Sequence, residues 1–204
     1  GLKLEKKDYK DMEKYLGEIA DPEEIAYYSA QYYAQKKDPK LVKEYETLLK
    51  SEKYKAYASK ALGDYYFDKK DLAKSKKYYG THVSVNKNPD EYVLYRLGQA
   101  NEKENNLKMA LTDYKLVYEK KGKLAEDAML RAAEIYDRQE NNVEAEKLFT
   151  KLYATKGNKD LKAYSIEKLI YYKLLNEKTK EAKKYYDELK KLDAKRAEKF
   201  KAYF

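Results

Sequence analysis

The residue types that could carry out chemistry are sparse in this sequence, and their spacing argues against a catalytic centre. His82 is the single histidine. It falls in a helical stretch beside Tyr78 and Tyr79, where a lone histidine is far more often structural than catalytic. There is no cysteine, which excludes disulfides, thiol nucleophiles and cysteine zinc sites. No glycine-rich phosphate loop is present. Asp68 and Asp71 come closest to a carboxylate pair, yet one lies at a helix end and the other reads as a helix cap. No loop spaces oxygen ligands as a hard cation needs. The sequence therefore reads as non-enzymatic, without cofactor or metal.

Recognition chemistry is better represented. Only four of the 45 basic residues are arginine: Arg96, Arg131, Arg138 and Arg196. Arg96 and Arg131 stand 35 residues apart, in the same place relative to Leu97-Gly98 and Ala132-Ala133. In a chain that otherwise uses lysine, this placement suggests a need for planar, bidentate geometry. The competing reading is an internal pair of Arg131 with Glu134, Asp127 or Glu102. Tyrosine is the other marked residue, at 25 against four Phe and no Trp. Six Tyr-Tyr pairs occur, at 27-28, 32-33, 65-66, 78-79, 171-172 and 185-186. Adjacent helical residues point about 100° apart. One ring of each pair can enter a core while the other reaches the boundary with its hydroxyl in water.

The elements that place these residues are legible from five polar breaks. Taking Asp38, Asp71, Asn106, Asn141 and Lys178 as markers, the spacings are 33, 35, 35 and 37 residues. Four residues after the markers lie Val42, Ser75, Ala110, Ala145 and Ala182, mostly small. Four further on lie Glu46, Tyr79, Tyr114, Phe149 and Tyr186, mostly aromatic. Steps of four keep residues on one helical face. Upstream of the breaks, Leu62-Gly63 with Tyr66, Leu97-Gly98, and Ala132-Ala133 with Tyr136 repeat at 35 residues. The spacing predicts helix pairs at 22–36 with 39–51, 54–68 with 71–85, 89–104 with 107–121, 124–139 with 142–156, and 160–175 with 178–191. Pro22 and Pro89 suit first helical turns. Asp38, Asp71, Asn106 and Asn141 suit N-caps. Gly80 interrupts a helical pattern, and Gly122 and Gly157 suit left-handed helix ends.

These motifs resemble the tetratricopeptide repeat (TPR) family: Leu-Gly, a Tyr one turn on, then a small residue with an aromatic four later. Leu97-Gly98, Ala110 and Tyr114 match, as do Tyr136, Ala145 and Phe149. The first aromatic slot departs, holding Ala26, Ser59, Leu94 and Met129. The resemblance covers about residues 22–191 and implies an all-α solenoid of about five helix-turn-helix repeats within a single domain, 1–204. Residues 1–20 read as the second helix of an incomplete repeat. Residues 194–204 read as a capping helix, with Phe200 inward and Lys199 and Lys201 outward. The start at Gly1-Leu2 suggests a fragment of a longer protein.

In such stacks the first helices line a concave groove, so the resemblance implies a partner-binding face. Its residues are Tyr57, Lys60 and Asp64; Tyr92, Tyr95, Arg96 and Gln99; and Asp127, Arg131, Glu134 and Arg138. Tyr27 and Gln31 extend it upstream. The Lys and Asn clamp of the chaperone-binding members is missing, because Asp64 follows Lys60 and Tyr95 and Gln99 fill the next repeat. The implied function is a scaffold that binds a peptide or protein segment, resembling bacterial periplasmic and envelope members in its Tyr-rich repeats and lack of cysteine, a location the composition favours weakly over the cytoplasm. Nucleic acid is disfavoured. The net charge of +9 is spread among 36 acids with no basic block, which describes a mixed solvated surface. An RNA-binding helical repeat is the first rival, and a regulatory or targeting domain of a larger enzyme or sensor is the second. No apolar run reaches the ~20 residues of a membrane span.

Overall fold

The computed structural model describes residues 12–155 and 158–204. Among these residues there are twelve helices and no strand. They are α1 (Met12–Glu18), α2 (Pro22–Lys36), α3 (Leu41–Leu48), α4 (Lys55–Asp68), α5 (Leu72–Val85), α6 (Glu91–Lys103), α7 (Leu107–Glu119), α8 (Ala125–Arg138), α9 (Asn142–Tyr153), α10 (Lys159–Leu175), α11 (Thr179–Leu192) and α12 (Ala194–Ala197). A 3-10 turn, Glu198–Tyr203, follows. The chain divides into two compact units, Gly1–Ala100 and Asn101–Phe204. Gly157 and the first part of the helix expected at 3–17 lie outside the described residues.

Each unit is built from packed helical hairpins. In the first, α2 packs on α3 and α4 on α5; in the second, α8 packs on α9 and α10 on α11. The buried stripe of each second helix carries the small and aromatic residues of the repeat. Ala110, Tyr114, Ala145, Phe149 and Ala182 are completely buried. Small residues let the two backbones approach, and Gly63 shows the extreme case. A Cβ added there would lie 2.3 Å from the Tyr79 ring, so only glycine fits beneath it. Gly80, by contrast, has open space around its missing side chain.

The turn inside each hairpin is closed by one device, used five times. Lys37, Lys70, Asn105, Glu140 and Glu177 adopt left-handed backbone, with φ from 55° to 62°. Each donates its N–H to the carbonyl three residues back, and the next residue donates to the carbonyl five residues back. Examples are Lys70 to Phe67 at 3.0 Å with Asp71 to Tyr66 at 2.9 Å, and Glu140 to Asp137 at 3.0 Å with Asn141 to Tyr136 at 2.9 Å. This satisfies the last carbonyls of the first helix. The left-handed role expected of Gly122 falls instead to Lys121, at φ 55°, and no described glycine has positive φ. In four of the five hairpins the residue after the left-handed one is the N-cap of the second helix: Asp71, Asn106, Asn141 and Lys178. Asp71 and Asn141 accept N–H bonds from Lys74 and Glu144. Asp38 is not the cap expected of it: α3 opens at Leu41 behind Lys40, and Asp38 instead accepts the Lys40 N–H within the turn; Asn106 makes no side-chain cap. Pro22 occupies the first turn of α2 behind its Asp21 cap. Pro89 does not enter α6, because Asp90 follows it and accepts the Tyr92 N–H at 2.8 Å.

Some of the described tyrosines make bonds that Phe cannot. Five hydroxyls donate to carboxylates: Tyr78 to Glu46, Tyr79 to Asp64, Tyr114 to Glu102, Tyr153 to Glu188 and Tyr172 to Asp137. Each buries a ring in the core and leaves its polar end satisfied. Burial and the acceptor carboxylate together raise the phenol pKa of Tyr78, Tyr79, Tyr153 and Tyr172. For Tyr153 the Glu188 bond, with burial second, moves it up to about 12. At the C-terminal end, α12 packs on α11 and α10. Ala197 is buried in the core cluster of Ile166, Ile170 and Leu189, with Phe200 against it. Phe200 thus points inward as expected. Lys199 does not simply face water; it reaches back to Glu167.

Candidate partner-binding site

Three slots, counted back from the marker that opens each second helix, define the outward face of the first helices. Fourteen residues back are Tyr57, Tyr92, Asp127 and Tyr164; eleven back are Lys60, Tyr95, Leu130 and Glu167; seven back are Asp64, Gln99, Glu134 and Tyr171. Tyr164, Glu167 and Tyr171, on α10, are absent from the sequence-based set. The lengthened last repeat obscured them, yet counting from Lys178 places them in register.

In the first unit this face is strongly cross-linked. Tyr57 is partly exposed, with its ring against Tyr27 and Tyr45. Lys60 Nζ donates to Asp90 Oδ2 at 2.7 Å and lies 5.3 Å from the Tyr92 ring centre. Burial pushes the Asp64 carboxyl pKa up, against the opposing hydrogen bond from Tyr79 and the nearby Lys60 and Arg96 charges. Tyr95 is half-buried. Arg96 is spent internally. Its Nε donates to the Tyr92 hydroxyl at 2.8 Å and an Nη to Gln99 at 3.5 Å, and the guanidinium sits 4.4 Å from the Phe67 ring centre. It is therefore a brace of the first unit rather than an open bidentate donor. Below this face a cleft of about 600 Å³ is lined by Tyr45, Ala61, Asp64, Tyr65 and Asp68, among others.

In the second unit the same face is more open. Asp127 and Arg131 are exposed, and Arg131 reaches Glu134 at 3.9 Å, one turn away. Burial raises the Glu134 pKa despite that arginine. Glu102 pairs with Arg138 at 2.7 Å. Arg138, not Arg131, is its cationic partner. A cleft of about 590 Å³ is lined by Asp137, Arg138 and Glu140 at the end of α8, by Tyr164, Glu167, Lys168 and Tyr171 of α10, and by Lys199 and Phe200. Asp137 is held by Lys168 and by the Tyr172 hydroxyl, while Tyr171 remains half exposed.

None of these groups forms a proton-relay or nucleophile arrangement. His82 is buried, and its Nδ1 lies 2.8 Å from the Ala56 carbonyl. That bond ties α5 to α4. Among the described residues no three ligand-type side chains converge as a metal site would require, and no helix is long and apolar enough to cross a membrane. Rings, carboxylates, amides and guanidinium groups on repeated slots suit the non-covalent recognition of another chain.

Comparison with known proteins bears on the fold. No protein-family model and no curated protein matches the sequence. Solved structures do match. A structure of MamA shares 16% identity at a TM-score of 0.63, covering 88% of this chain and 96% of its own. PilF of Pseudomonas aeruginosa shares 17% at 0.56, covering 88% and 81%. A Podosopora anserina protein of nearly identical TPR-like repeats shares 14% at 0.56, covering 87% and 98%. The chain has the all-α fold of these TPR-like helical repeats.

Proposed function

We propose that this protein is a scaffold that holds a segment of another protein on the outward faces of its first helices, and that it works by binding rather than catalysis. The observation that carries the reading is the recurrence of tyrosine, carboxylate, lysine and amide at the same three slots, on α4, α6, α8 and α10, with an arginine one residue after the middle slot on α6 and α8, beside deeply buried neighbours such as Leu62, Leu94 and Ala133. Apart from the buried Glu167 these positions are at least partly exposed, and rings, charged groups or amides fill all of them but Leu130, which fits recognition better than solvation. Solvation elsewhere on the chain is left to lysine and glutamate.

The second unit supplies the cleanest test. Exchanging charges in Asp127→Lys with Arg131→Glu alters only exposed groups, and exposed pairs of this type contribute about 0–1 kcal/mol to stability. The double variant is expected to keep its helix content and melt within a few degrees of wild type, while losing partner capture in pull-downs from native extract. Val143→Lys, at a 76% exposed position on α9, is expected to capture normally. Capture by the double variant at wild-type levels would remove the α8 face from the site. Capture that collapses steeply with added salt, together with nuclease sensitivity, would point to RNA instead.

A further inference from the structure

Glu167 is the one groove-slot carboxylate that is almost wholly buried, at 7% exposure. Both of its cationic partners come from the C-terminal segment. Arg196 Nη1 donates to Oε2 at 2.9 Å, and Lys199 Nζ lies against Oε1. On α10, Tyr164 and Tyr171 stand one turn to either side of Glu167, and Phe200 completes the wall of the same cleft. Residues 196–200 are thus seated on the α10 face as a ligand would be, with two basic groups on the carboxylate and a ring beside the tyrosines.

Between its anchors at Ala197, in the core, and Phe204, whose ring centre lies 4.8 Å from that of Tyr186, the seat is lightly held. In the 3-10 turn Glu198–Tyr203 every residue except Phe200 is exposed, and such turns have poor hydrogen-bond geometry. Segments with few buried contacts open at low cost. If the segment lifts, Glu167 loses its counter-charges and faces the cleft beside Glu140, while Lys168 stays committed to Asp137 and Arg138 to Glu102. The vacated seat is anionic and aromatic, on a chain whose net charge is +9.

We propose that the α10 face is a docking pocket for a partner segment in which a basic side chain stands next to an aromatic one, and that Arg196, Lys199 and Phe200 occupy it in cis as a displaceable self-ligand. The proposal rests on the groove reading above and adds its ligand chemistry and its regulation.

The test uses the full chain and a fluorescent synthetic peptide with the sequence of residues 194–204. Arg196→Ala, Lys199→Ala and Phe200→Ala together should free the pocket while Ala197 keeps its core contacts. The triple variant is expected to bind the peptide at least ten-fold more tightly than wild type. Adding Glu167→Gln should remove that gain, and a peptide with Glu and Ala in place of its Lys199 and Phe200 should not bind. A helical triple variant that binds no better than wild type, or whose binding ignores Glu167→Gln, overturns the proposal. Should the triple variant fail to fold, hydrogen exchange decides. Glu167→Gln alone should speed exchange of the 197–204 amides at least ten-fold with α11 unchanged, and equal exchange refutes the self-ligand. Light scattering that shows the wild type dimerising by exchanging its tails would make a second copy the occupant and overturn the partner assignment. If the Asp127/Arg131 variant loses capture while no peptide binds here, the groove reading stands and this proposal fails; peptide binding with capture intact shows the reverse for the α8 face.

Discussion

Arg96 and Arg131 occupy the same repeat slot in different units and do different work. Arg96 lies between the Phe67 and Tyr92 rings, 4.4 and 5.1 Å from their centres, with its donors on Tyr92 and Gln99. Arg131 stands exposed, 3.9 Å from Glu134. The difference lies in their neighbours. Where the first unit offers Tyr92 one turn earlier, the second has Asp127; where it offers Gln99, the second has Glu134. A second slot pair diverges in the same way. Tyr66 and Tyr78 stack with ring centres 5.5 Å apart in the first unit. Their counterparts in the second are Asn101 and Asp113, a buried amide bonded to a buried carboxylate at 2.7 Å. The first unit braces Arg96 with rings, whereas around Arg131 on α8 the corresponding places hold carboxylates. A repeat fixes where a side chain sits, and its neighbours decide whether it is packed against rings or stands exposed.

The sharpest way to break this contrast is at the helix-contact slot shared by Gly63 and Ala133. Gly63→Ala drives a methyl into Tyr79 and is expected to lower stability by about 1–3 kcal/mol. Ala133→Gly removes a buried methyl and adds backbone freedom, at about 1 kcal/mol. Urea melts of both variants would show the order, and a harmless Gly63→Ala would mean that the first unit is looser than described. Next in size, Arg96→Ala should cost about 1–2 kcal/mol through its lost ring and hydroxyl contacts, whereas Arg131→Ala should stay within about 0.5 kcal/mol.

The polar pair of the second unit predicts a pH dependence. Burial pushes the Asp113 carboxyl up to about 6, with the Asn101 bond opposing, against about 3.9 in an unfolded chain. The unfolded state therefore releases this proton first. Stability from the protonated form is complete below about pH 4 and is lost as pH rises through about 6. Asp113→Asn should thus stabilise the protein at pH 8 by about 1–2 kcal/mol, with the gain vanishing below pH 4. Melting temperatures of both proteins across that range are the check; a gain independent of pH would mean that Asp113 does not titrate within the fold.

The smallest effect belongs to the hairpin turns. Glu140→Gly and Lys70→Gly relieve a left-handed side chain that costs about 1–2 kcal/mol, less the entropy that glycine adds to the unfolded chain. Each should stabilise by about 0.5–1 kcal/mol, and thermal melts that fall instead would show that the Cβ is not strained.

Why those turns were illegible in the sequence follows from their composition. Left-handed residues announce themselves when they are glycine, but here they are Lys, Asn and Glu. The hairpins were legible because Asp71, Asn106 and Asn141 mark second-helix starts, and because Ala110 with Tyr114 and Ala145 with Phe149 hold their spacing. The α10 face was readable in principle, since Tyr164, Glu167 and Tyr171 keep the count from Lys178. The spent state of Arg96 was not, because it depends on Phe67, a residue of another helix that no spacing rule links to it. Tyrosine in place of phenylalanine became intelligible only when five hydroxyls were found on carboxylates.

The most direct measurement of the central claim is site-specific photo-crosslinking. A benzophenone side chain would replace, one at a time, Tyr57, Asp127 and Tyr171 on the first-helix faces, and Met109 and Val143 on the second helices; Met109 and Val143 are exposed at 55% and 76%. The account predicts covalent adducts to a common partner from the first set and none from the second. Adducts from Met109 or Val143, with the first-helix positions silent, would contradict it.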